Sequence, residues 1–337
     1  MWNVAIRKLH KGESLAFDEM VELMNTIMSG SLTDAEIAEC LTLLARKGES
    51  VDELAGAAAA LQQRMTTITC SRDYLIDTCG TGGSGKHTFN ISTAAAFVAV
   101  AAGATVAKHG NRAITGSSGS ADVLQELGVR VDAPFAVIED CLNEIGICFC
   151  FAPQFHPSVK HAAAARKQLN FPTIFNLLGP LCNPARAPYQ LLGAGRGETR
   201  RLLAEALARL GTQRSAVLHG RDGIGEVSIS AETDVDCVTG TGIEVGVWSP
   251  EDFGVTRADL GTIQVSSPQQ SANLIRQVLD NREGPCLEIV VANAAAALWL
   301  VGIAESFQQA SKLARQALAS GMAKHVLNQL VERTNSC

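Results

Sequence analysis

The apolar positions of the first seventy residues recur at the three- and four-residue spacing of helices that bury one face. The clearest such stripe consists of Phe17, Met20, Val21, Met24 and Met28. Ser14 is placed to cap this helix, and the pairs Thr33 with Glu36 and Ser50 with Glu53 fit capping boxes at the starts of two more. The pattern predicts a small all-helical domain over residues 1–70.

From about Leu75 the apolar pattern changes to short strand-like runs that alternate with helical stretches. The runs cover residues 75–77, 105–108, 148–152, 190–193 and 216–219. This alternation predicts an α/β fold, with a mostly parallel sheet flanked by helices beside the smaller all-helical domain. Gly211 is placed to end a helix near Leu210.

The last part of the chain, residues 269–333, has the pattern of three helices. Gly302 and Gly321 are placed to interrupt or cap them. Asn293 stands inside the apolar run 287–304, and we interpret it as a residue of close helix packing.

A glycine-rich stretch directly follows the first predicted strand. Gly80, Gly82, Gly83 and Gly85 fall within six positions, a density that lets backbone N–H groups approach an anion closely. Residues 90–93, Asn-Ile-Ser-Thr, then open an alanine-rich helix with polar side chains where its free N–H donors need partners. A loop of N–H groups that leads into a helix N-terminus predicts a site for a phosphate-bearing ligand.

Two familiar phosphate-binding patterns fit this stretch incompletely. Residues 80–85 satisfy the dinucleotide pattern G-x-G-x-x-G, but the next predicted strand ends in Lys108 and His109 rather than in an acidic residue. Residues 80–86 match the first seven positions of a Walker A loop, but His87 stands where a Ser or Thr should hold magnesium. A glycine-rich turn without a ligand is the third interpretation.

A second polar loop follows the next predicted strand, with Lys-His-Gly-Asn-Arg at 108–112 and Ser-Gly-Ser-Ala-Asp at 118–122. Ligands of open parallel sheets bind at such carboxyl ends. Together with Gly-Thr-Gly-Gly at 80–83 and Thr-Phe-Asn-Ile-Ser-Thr at 88–93, these motifs resemble those of anthranilate phosphoribosyltransferases. The resemblance implies a glycosyltransferase of tryptophan biosynthesis. Such an enzyme transfers the 5-phosphoribosyl group from phosphoribosyl pyrophosphate (PRPP) to the amine of anthranilate, giving N-(5-phosphoribosyl)anthranilate and pyrophosphate.

The resemblance also implies which residues bind the two substrates. The expected PRPP site consists of Gly80, Gly83, Ser84, Thr88, Asn90, Ile91, Ser92, Thr93, Lys108, His109, Gly110, Asn111, Arg112, Ala113, Ile114, Thr115, Gly116 and Ser120. Gly80, Asn111 and Arg166 are expected to contact anthranilate, with Arg166 pairing with its carboxylate. His109 is either a base or a packed polar residue.

Catalysis of phosphoribosyl transfer requires positive charge and N–H donors at the leaving pyrophosphate. By resemblance Lys108 and Glu226 stabilise the transition state, and Mg²⁺ is the implied cofactor. Relatives carry an Asp-Glu pair that binds magnesium after a strand ending in His-Gly. Here Glu226 aligns with the Glu and Gly225 stands where the Asp belongs, so Ser92 and Glu226 are the expected ligands.

Ser84 and Ser117 likewise replace a usual Asp and a usual Lys of the family. Together with Gly225, these substitutions leave open a catalytically weakened paralogue that binds phosphoribosyl or nucleic-acid ligands. A pyrimidine nucleoside phosphorylase is a third possibility, which the Lys-His-Gly-Asn-Arg stretch opposes.

The resemblance further implies the domain arrangement and the assembly. Residues 71–337 would form the large PRPP-binding domain, and residues of about 165–185 would return to complete the helical domain. The N-terminal helices would hold a homodimer, and their apolar stripes suit such a contact.

Composition narrows the class of protein further. The 28 basic and 34 acidic residues give a net charge of -6, which disfavours a general nucleic-acid binder. The 10 cysteines include no C-x-x-C pair and favour reduced core thiols. No signal-peptide pattern is visible, and the apolar runs 94–107 and 287–304 suit buried helices better than membrane spans. We expect a cytoplasmic protein.

Overall fold

The computed structural model describes residues 2–113 and 118–336, and in these ranges seven strands form one sheet. The strands are β1 (Leu75–Gly80), β2 (Thr105–Gly110), β3 (Ile147–Phe151), β4 (Tyr189–Gly193), β5 (Arg214–Gly220), β6 (Thr233–Thr239) and β7 (Gly242–Trp248). Their order is β3-β2-β1-β4-β5-β6-β7, with β1 to β5 parallel and β6 and β7 antiparallel. The predicted mostly parallel sheet is confirmed, and the β6–β7 hairpin is an addition that the sequence analysis missed.

Helices cover both faces of the sheet and form the N-terminal region. They are α1 (Trp2–His10), α2 (Phe17–Met28), α3 (Asp34–Lys47), α4 (Val51–Arg64), α5 (Ile91–Ala101), α6 (Ser120–Glu126), α7 (Phe135–Asp140), α8 (Ala152–Phe155), α9 (Ala163–Gln168), α10 (Phe175–Leu178), α11 (Arg200–Leu210), α12 (Pro268–Leu279), α13 (Pro285–Leu300), α14 (Phe307–Ala319) and α15 (Met322–Asn335). The predicted smaller helical part beside an α/β part is therefore present.

Two details of the helix prediction were wrong. Helix α2 begins at Phe17 with Ala16 at its N-cap, so Ser14 does not cap it; the Glu19 carboxylate instead accepts a hydrogen bond from Ala16 N at 2.9 Å. The C-terminal segment forms the four helices α12 to α15 rather than three, because the chain also breaks between Leu279 and Pro285, where Asn281 and Gly284 have positive φ, in addition to the expected breaks at Gly302 and Gly321. Both predicted capping boxes are present, and the left-handed Gly211 ends α11 as expected.

The chain reverses its direction of travel across the sheet between β1 and β4. From β1 it moves outward to β2 and β3, and it then returns to β4 and continues to β5 on the other side. Gly80 and Gly193, the last residues of β1 and β4, are paired in register. Open α/β sheets bind ligands in the crevice at such a switch point, so the topology marks this edge as the place for a site.

Two apolar clusters hold the fold together. The first surrounds α5 and α13, which are apolar on nearly every face and lie buried against the sheet. The second joins α1 to α4 with residues 162–182 and continues through α11 onto β4 and β5. Within the described ranges no helix combines the length and the hydropathy needed to cross a membrane.

A fully buried carboxylate ties the N-terminal helices together. Glu53 is 0% exposed; its Oε1 accepts from Leu15 N at 3.0 Å, and its Oε2 accepts from Ser50 N and Lys47 Nζ, both at 2.7 Å. Each carboxylate oxygen that faces the protein interior thus has a donor, as a buried charge requires.

We expect Glu53→Ala to lower the free energy of unfolding by about 3–5 kcal/mol, since it leaves two backbone N–H groups without an acceptor and the Lys47 ammonium without its counter-charge. Urea unfolding followed by circular dichroism measures this change. Glu22→Ala is the matched control, because Glu22 is an exposed residue of α2, and its effect should stay within about 0.5 kcal/mol. Equal effects of the two substitutions would contradict the assigned role.

Candidate active site

Four loops meet at the carboxyl ends of β1, β2, β4 and β5. We call them the first glycine loop (residues 80–87), the second loop (110–119), the β4 loop (193–196) and the β5 loop (220–226). The first glycine loop is joined to the β4 loop by hydrogen bonds from Thr81 N to Gly193 O and from Gly195 N to Thr81 Oγ1, both 2.9 Å long. The β4 loop therefore packs between the first glycine loop and the β5 loop.

The β4 loop fits there because it has no side chains at two positions. A Cβ on Gly195 would lie 1.9 Å from Gly82 O, and a Cβ on Gly193 would lie 1.8 Å from Gly225 O. Both contacts are far below van der Waals distance, so only glycine permits this stacking of backbones. These two residues were not among the predicted site residues, although the Gly-Ala-Gly at the end of the predicted strand 190–193 was the available signal.

The first glycine loop adopts the backbone that its glycines allow. Gly82, Gly83 and Gly85 have φ of 68°, 79° and 68°, and a Cβ at any of them would meet nothing within 4 Å. These glycines are thus required by conformation rather than by crowding, and they leave open space above the loop. Ser84 Oγ accepts a hydrogen bond from Lys86 N at 3.4 Å. Thr88, at the end of the loop, bridges to Gln264.

The start of α5 differs from the expectation. Asn90 is the N-cap residue, but its side chain makes no capping hydrogen bond. Its Oδ1 accepts instead from Ser118 Oγ at 2.7 Å and from Ser271 Oγ at 2.8 Å, which links α5 to the second loop and to α12. The side chains of Ile91 and Thr93 are buried, so only their backbone can face a ligand. The predicted side-chain cap was wrong.

Lys108 is the buried cation of the site. Its Nζ donates to Thr78 O at 2.5 Å and to Ser92 Oγ at 3.1 Å. Burial lowers the pKa of Lys108, while the neighbouring carboxylates of Asp77 and Glu226 act in the opposite direction. Burial raises the pKa of Glu226 to about 7, against the opposing effect of Lys108. The structure thus brings together Lys108, Ser92 and Glu226, three of the residues expected to act on the pyrophosphate.

The residues present fit a magnesium ion that substrate phosphates help to bind. Ser92 offers a hydroxyl and Glu226 a carboxylate, and Mg²⁺ commonly takes one or two carboxylates together with substrate phosphates and water. Asp222 is not available as a second carboxylate, because its side chain accepts hydrogen bonds from Ser228 Oγ and Ser230 Oγ. Among residues 2–113 and 118–336, no cluster of three or more His, Cys, Asp or Glu side chains is arranged to hold a metal.

Gly225 has room for a side chain. It does not adopt a positive φ, and a Cβ built on it would lie 3.4 Å from Gly193 C, which is an ordinary contact. The missing carboxylate at this position is therefore not imposed by the backbone.

We interpreted Asn293 from the sequence as a residue of close helix packing. In the structure it also holds the backbone directly after the β5 loop. Its Oδ1 accepts from Val227 N at 3.0 Å and its Nδ2 donates to Val227 O at 3.0 Å. These two bonds hold the residue directly after Glu226 from within the buried helix α13. An amide in the middle of an apolar run was the signal, and we infer that Asn293 fixes the direction of the Glu226 side chain.

The second loop is organised by Asp122. Its Oδ2 accepts from Ala113 N at 2.9 Å and from Gly119 N at 3.1 Å, so it joins the two ends of the loop. Its Oδ1 pairs with Arg112 Nη1 at 3.1 Å. Asp122 belongs to the Ser-Gly-Ser-Ala-Asp motif at 118–122, but it was not among the predicted site residues.

The other expected residues of the second loop lie at its two ends. A Cβ on Gly110 would lie 2.0 Å from Ser120 Oγ, so the contact of these two residues requires glycine. Asn111 is exposed, and its carbonyl accepts from Ala121 N at 3.2 Å. Ile114, Thr115 and Gly116, together with the substituted Ser117, lie outside the described residues, so their expected roles stay predictions.

His109 is packed and neutral. Its Nδ1 lies 2.9 Å from Gly179 O and its Nε2 lies 3.2 Å from His156 Nε2. Because the carbonyl only accepts, Nδ1 carries the proton and Nε2 accepts from His156. Burial, reinforced by His156, lowers the pKa of His109 to about 3, and burial lowers the pKa of His156 to about 4. Of the two roles considered for His109, this geometry supports the packed polar residue and not the base.

The same pair predicts a loss of stability in acid. Between pH 4 and 6.5 the unfolded chain binds protons at His109 and His156 that the folded protein excludes, so the free energy of unfolding falls as the pH decreases. We expect the protein to be about 2–4 kcal/mol less stable at pH 5 than at pH 7.5 through these two groups. Urea unfolding of the wild type and of His109→Gln/His156→Gln at both pH values measures the contribution. An unchanged pH dependence in the double variant would show that other groups cause it.

The guanidinium of Arg166 makes no polar contact with the described residues. Arg166 lies on α9, half-buried, with its guanidinium carbon 4.8 Å from the centre of the Phe175 ring, and burial lowers its pKa. No hydrogen bond or ion pair engages this guanidinium within the part of the chain that the structure describes. An arginine held on an aromatic face with its donors free is suited to a planar carboxylate.

Comparison with known proteins agrees with this arrangement. The sequence model of a glycosyl transferase family helical-bundle domain matches residues 3–65, and that of the family's a/b domain matches residues 72–324. Among curated proteins, the anthranilate phosphoribosyltransferase of Rhodopirellula baltica is 45% identical over 329 residues, covering 97% of this chain and 96% of the relative. That of Moorella thermoacetica is 43% identical and covers 98% of each chain.

Solved structures show the same relationship. The crystal structure of anthranilate phosphoribosyltransferase from Thermus thermophilus matches with a TM-score of 0.93 and 38% identity, over 98% of this chain and 99% of that one. The enzyme from Saccharomyces cerevisiae, solved in complex with PRPP and Mg, shares the fold with a TM-score of 0.91 at 24% identity, over 100% of this chain and 98% of that one. The chain is a glycosyltransferase enzyme and belongs to the anthranilate phosphoribosyltransferase family.

Proposed function

We propose that the protein transfers the 5-phosphoribosyl group from PRPP to the amine of anthranilate, giving N-(5-phosphoribosyl)anthranilate and pyrophosphate in tryptophan biosynthesis. The main support for this proposal is that Lys108, Ser92 and Glu226 lie close together at the switch point of the sheet, beside the first glycine loop. The relatives that cover nearly the whole chain carry the name of this activity.

We assign the binding of PRPP to the first glycine loop, the start of α5 and the second loop. The glycines expose N–H groups to the phosphates, and Lys108 adds a buried positive charge. Glu226 and Ser92 would hold Mg²⁺, which neutralises charge on the leaving pyrophosphate when it is bound. The complex of the yeast relative with PRPP and Mg supports this assignment.

The acceptor site is assigned to Arg166, Asn111 and Gly80. The guanidinium of Arg166 pairs with the anthranilate carboxylate and thereby orients the amine. Because an aryl amine is neutral at pH 7, positioning it at C1′ of the ribose suffices, and the engaged His109 is not needed as a base.

The test of this function is to mix the protein with MgCl₂, PRPP and anthranilate and to follow the loss of anthranilate fluorescence. Steady turnover with release of one pyrophosphate per anthranilate consumed is the expected result. Binding of PRPP without turnover would favour the weakened paralogue instead.

We further propose a homodimer held by the N-terminal helices, in a cytoplasmic protein. Val4 of α1, which is 48% exposed, supports the contact, whereas Met20, Met24 and Met28 of the predicted stripe are buried within the helical region itself. The domain division at about residue 70 is supported by the two family models, which match residues 3–65 and 72–324. The packing of residues 162–182 against α1 to α4 supports the proposal that residues of about 165–185 complete the helical domain. Light scattering at micromolar concentration tests the assembly, and a monomer would contradict it.

A further inference from the structure

Lys86 bridges the space between the first glycine loop and the β5 loop. A Cβ built on Gly223 would lie 2.5 Å from Lys86 Cε and 3.2 Å from its Nζ, so the lysine side chain lies directly over the backbone of Gly223. Gly223 has a φ of 93° and leaves the space that the lysine fills. The ammonium therefore lies beside the loop that carries Gly225 and Glu226.

The backbone of Lys86 is fixed by its neighbours. Its carbonyl accepts from Gln264 Nε2 at 3.1 Å and its N–H donates to Ser84 Oγ at 3.4 Å. The next residue, His87, has a φ of 54°, which is unfavourable for a side chain of this size, and its carbonyl accepts from Val265 N at 2.8 Å. Backbone strain of this kind persists where the surroundings hold it and is found at ligand-binding loops.

The ammonium of Lys86 has no partner among the residues that the structure describes, although its side chain is half-buried. Within residues 2–113 and 118–336 it makes no hydrogen bond and no ion pair. The arginines of the four loops are engaged, since Arg112 pairs with Asp122, Arg196 with Glu198 and Arg221 with Asp234. Lys108 of β2 likewise bonds to Thr78 and Ser92. A fixed, partly desolvated cation without a partner is suited to an anionic ligand that enters from solvent.

We propose that Lys86 binds the pyrophosphate group of PRPP and provides there the positive charge that a second metal ion would provide if position 225 carried a carboxylate. The inference rests on the proposed function. The β5 loop presents one free carboxylate, Glu226, since Asp222 is held by Ser228 and Ser230. An ammonium beside that loop compensates for the missing ligand because it neutralises the phosphate oxygens directly.

The experiment is a calorimetric titration with three probes, PRPP, inorganic pyrophosphate and ribose 5-phosphate, at 0.1 and 10 mM MgCl₂. Lys86→Met removes the charge and keeps the length of the side chain. We expect about a ten- to hundredfold loss of affinity for PRPP and pyrophosphate, larger at low magnesium, and an unchanged affinity for ribose 5-phosphate. Lys86→Arg should retain most of the affinity, and Lys312→Met, on the exposed face of α14, is the control.

Adding Gly225→Asp to Lys86→Met should restore the affinity for PRPP at 10 mM but not at 0.1 mM MgCl₂, because the carboxylate acts through a metal. Equal pyrophosphate affinities of the wild type and Lys86→Met at both magnesium concentrations would overturn the inference. So would a loss confined to ribose 5-phosphate. If the wild type itself binds no PRPP, the proposed function fails, and that result is distinct from both.

Discussion

Glu226→Gln is expected to lower kcat by about a hundredfold or more, because it removes the one free carboxylate that the β5 loop presents beside Lys108. The amide keeps the size of the side chain but carries no charge, so it binds a divalent ion poorly. Charge that develops on the leaving pyrophosphate is then neutralised by Lys108 and Lys86 alone. Initial rates at saturating PRPP and anthranilate, across a magnesium titration, measure the effect.

Glu244→Gln is the control for this substitution, since Glu244 is an exposed residue of β7. Its rates should equal those of the wild type. A thermal melt separates lost catalysis from lost folding, because the backbone after position 226 remains held by Asn293. A folded Glu226→Gln enzyme with wild-type kcat would show that the β5 loop does not act on the leaving group.

Arg166→Ala is expected to raise the KM for anthranilate by roughly ten- to a hundredfold and to leave the KM for PRPP nearly unchanged. A charge-assisted pair to a carboxylate contributes about 1.5–3 kcal/mol, and this guanidinium has no partner among the described residues that would share its donors. Arg166→Lys should recover only part of the loss, because an ammonium cannot bind a planar carboxylate through two parallel bonds or stack on Phe175.

Lys167→Ala on the same helix is the matched control, since Lys167 is the exposed neighbour of Arg166. Initial rates over an anthranilate series at saturating PRPP distinguish the two variants. If Arg166→Ala raised the KM for PRPP instead, the guanidinium would belong to the phosphate side of the site.

The sequence predicted best the features that depend on local pattern. Strand β1, the first glycine loop and the start of α5 follow one another within a short stretch, so their order was visible without the fold. The capping boxes at Thr33 and Ser50 succeeded for the same reason, because donor and acceptor are three residues apart.

Features that depend on distant residues could not be predicted in this way. Asn90 was expected to cap its own helix, but Ser118 and Ser271 compete for its amide, and they are distant in sequence. Gly193 is required by the carbonyl of Gly225; the local Gly-Ala-Gly motif marks the glycine but does not reveal this distant partner. The β6–β7 hairpin was missed although Ile243, Val245 and Val247 alternate with polar or small residues. Val245 and Val247 of this edge strand are exposed, so the alternation does not mark a face buried in the core.

The close packing at the β4 loop permits substitution at some of the glycines there and not at others. A Cβ added to Gly193 or Gly195 would lie less than 2 Å from a carbonyl oxygen, whereas a Cβ added to Gly225 would make an ordinary van der Waals contact. A glycine codon becomes an aspartate or glutamate codon by one nucleotide change. In a Lys86→Met strain selected for growth at abundant magnesium, substitutions should therefore accumulate at codon 225, and codons 193 and 195 should stay invariant among the survivors. The present glycine at 225 is thus an evolutionary state that a single step can leave.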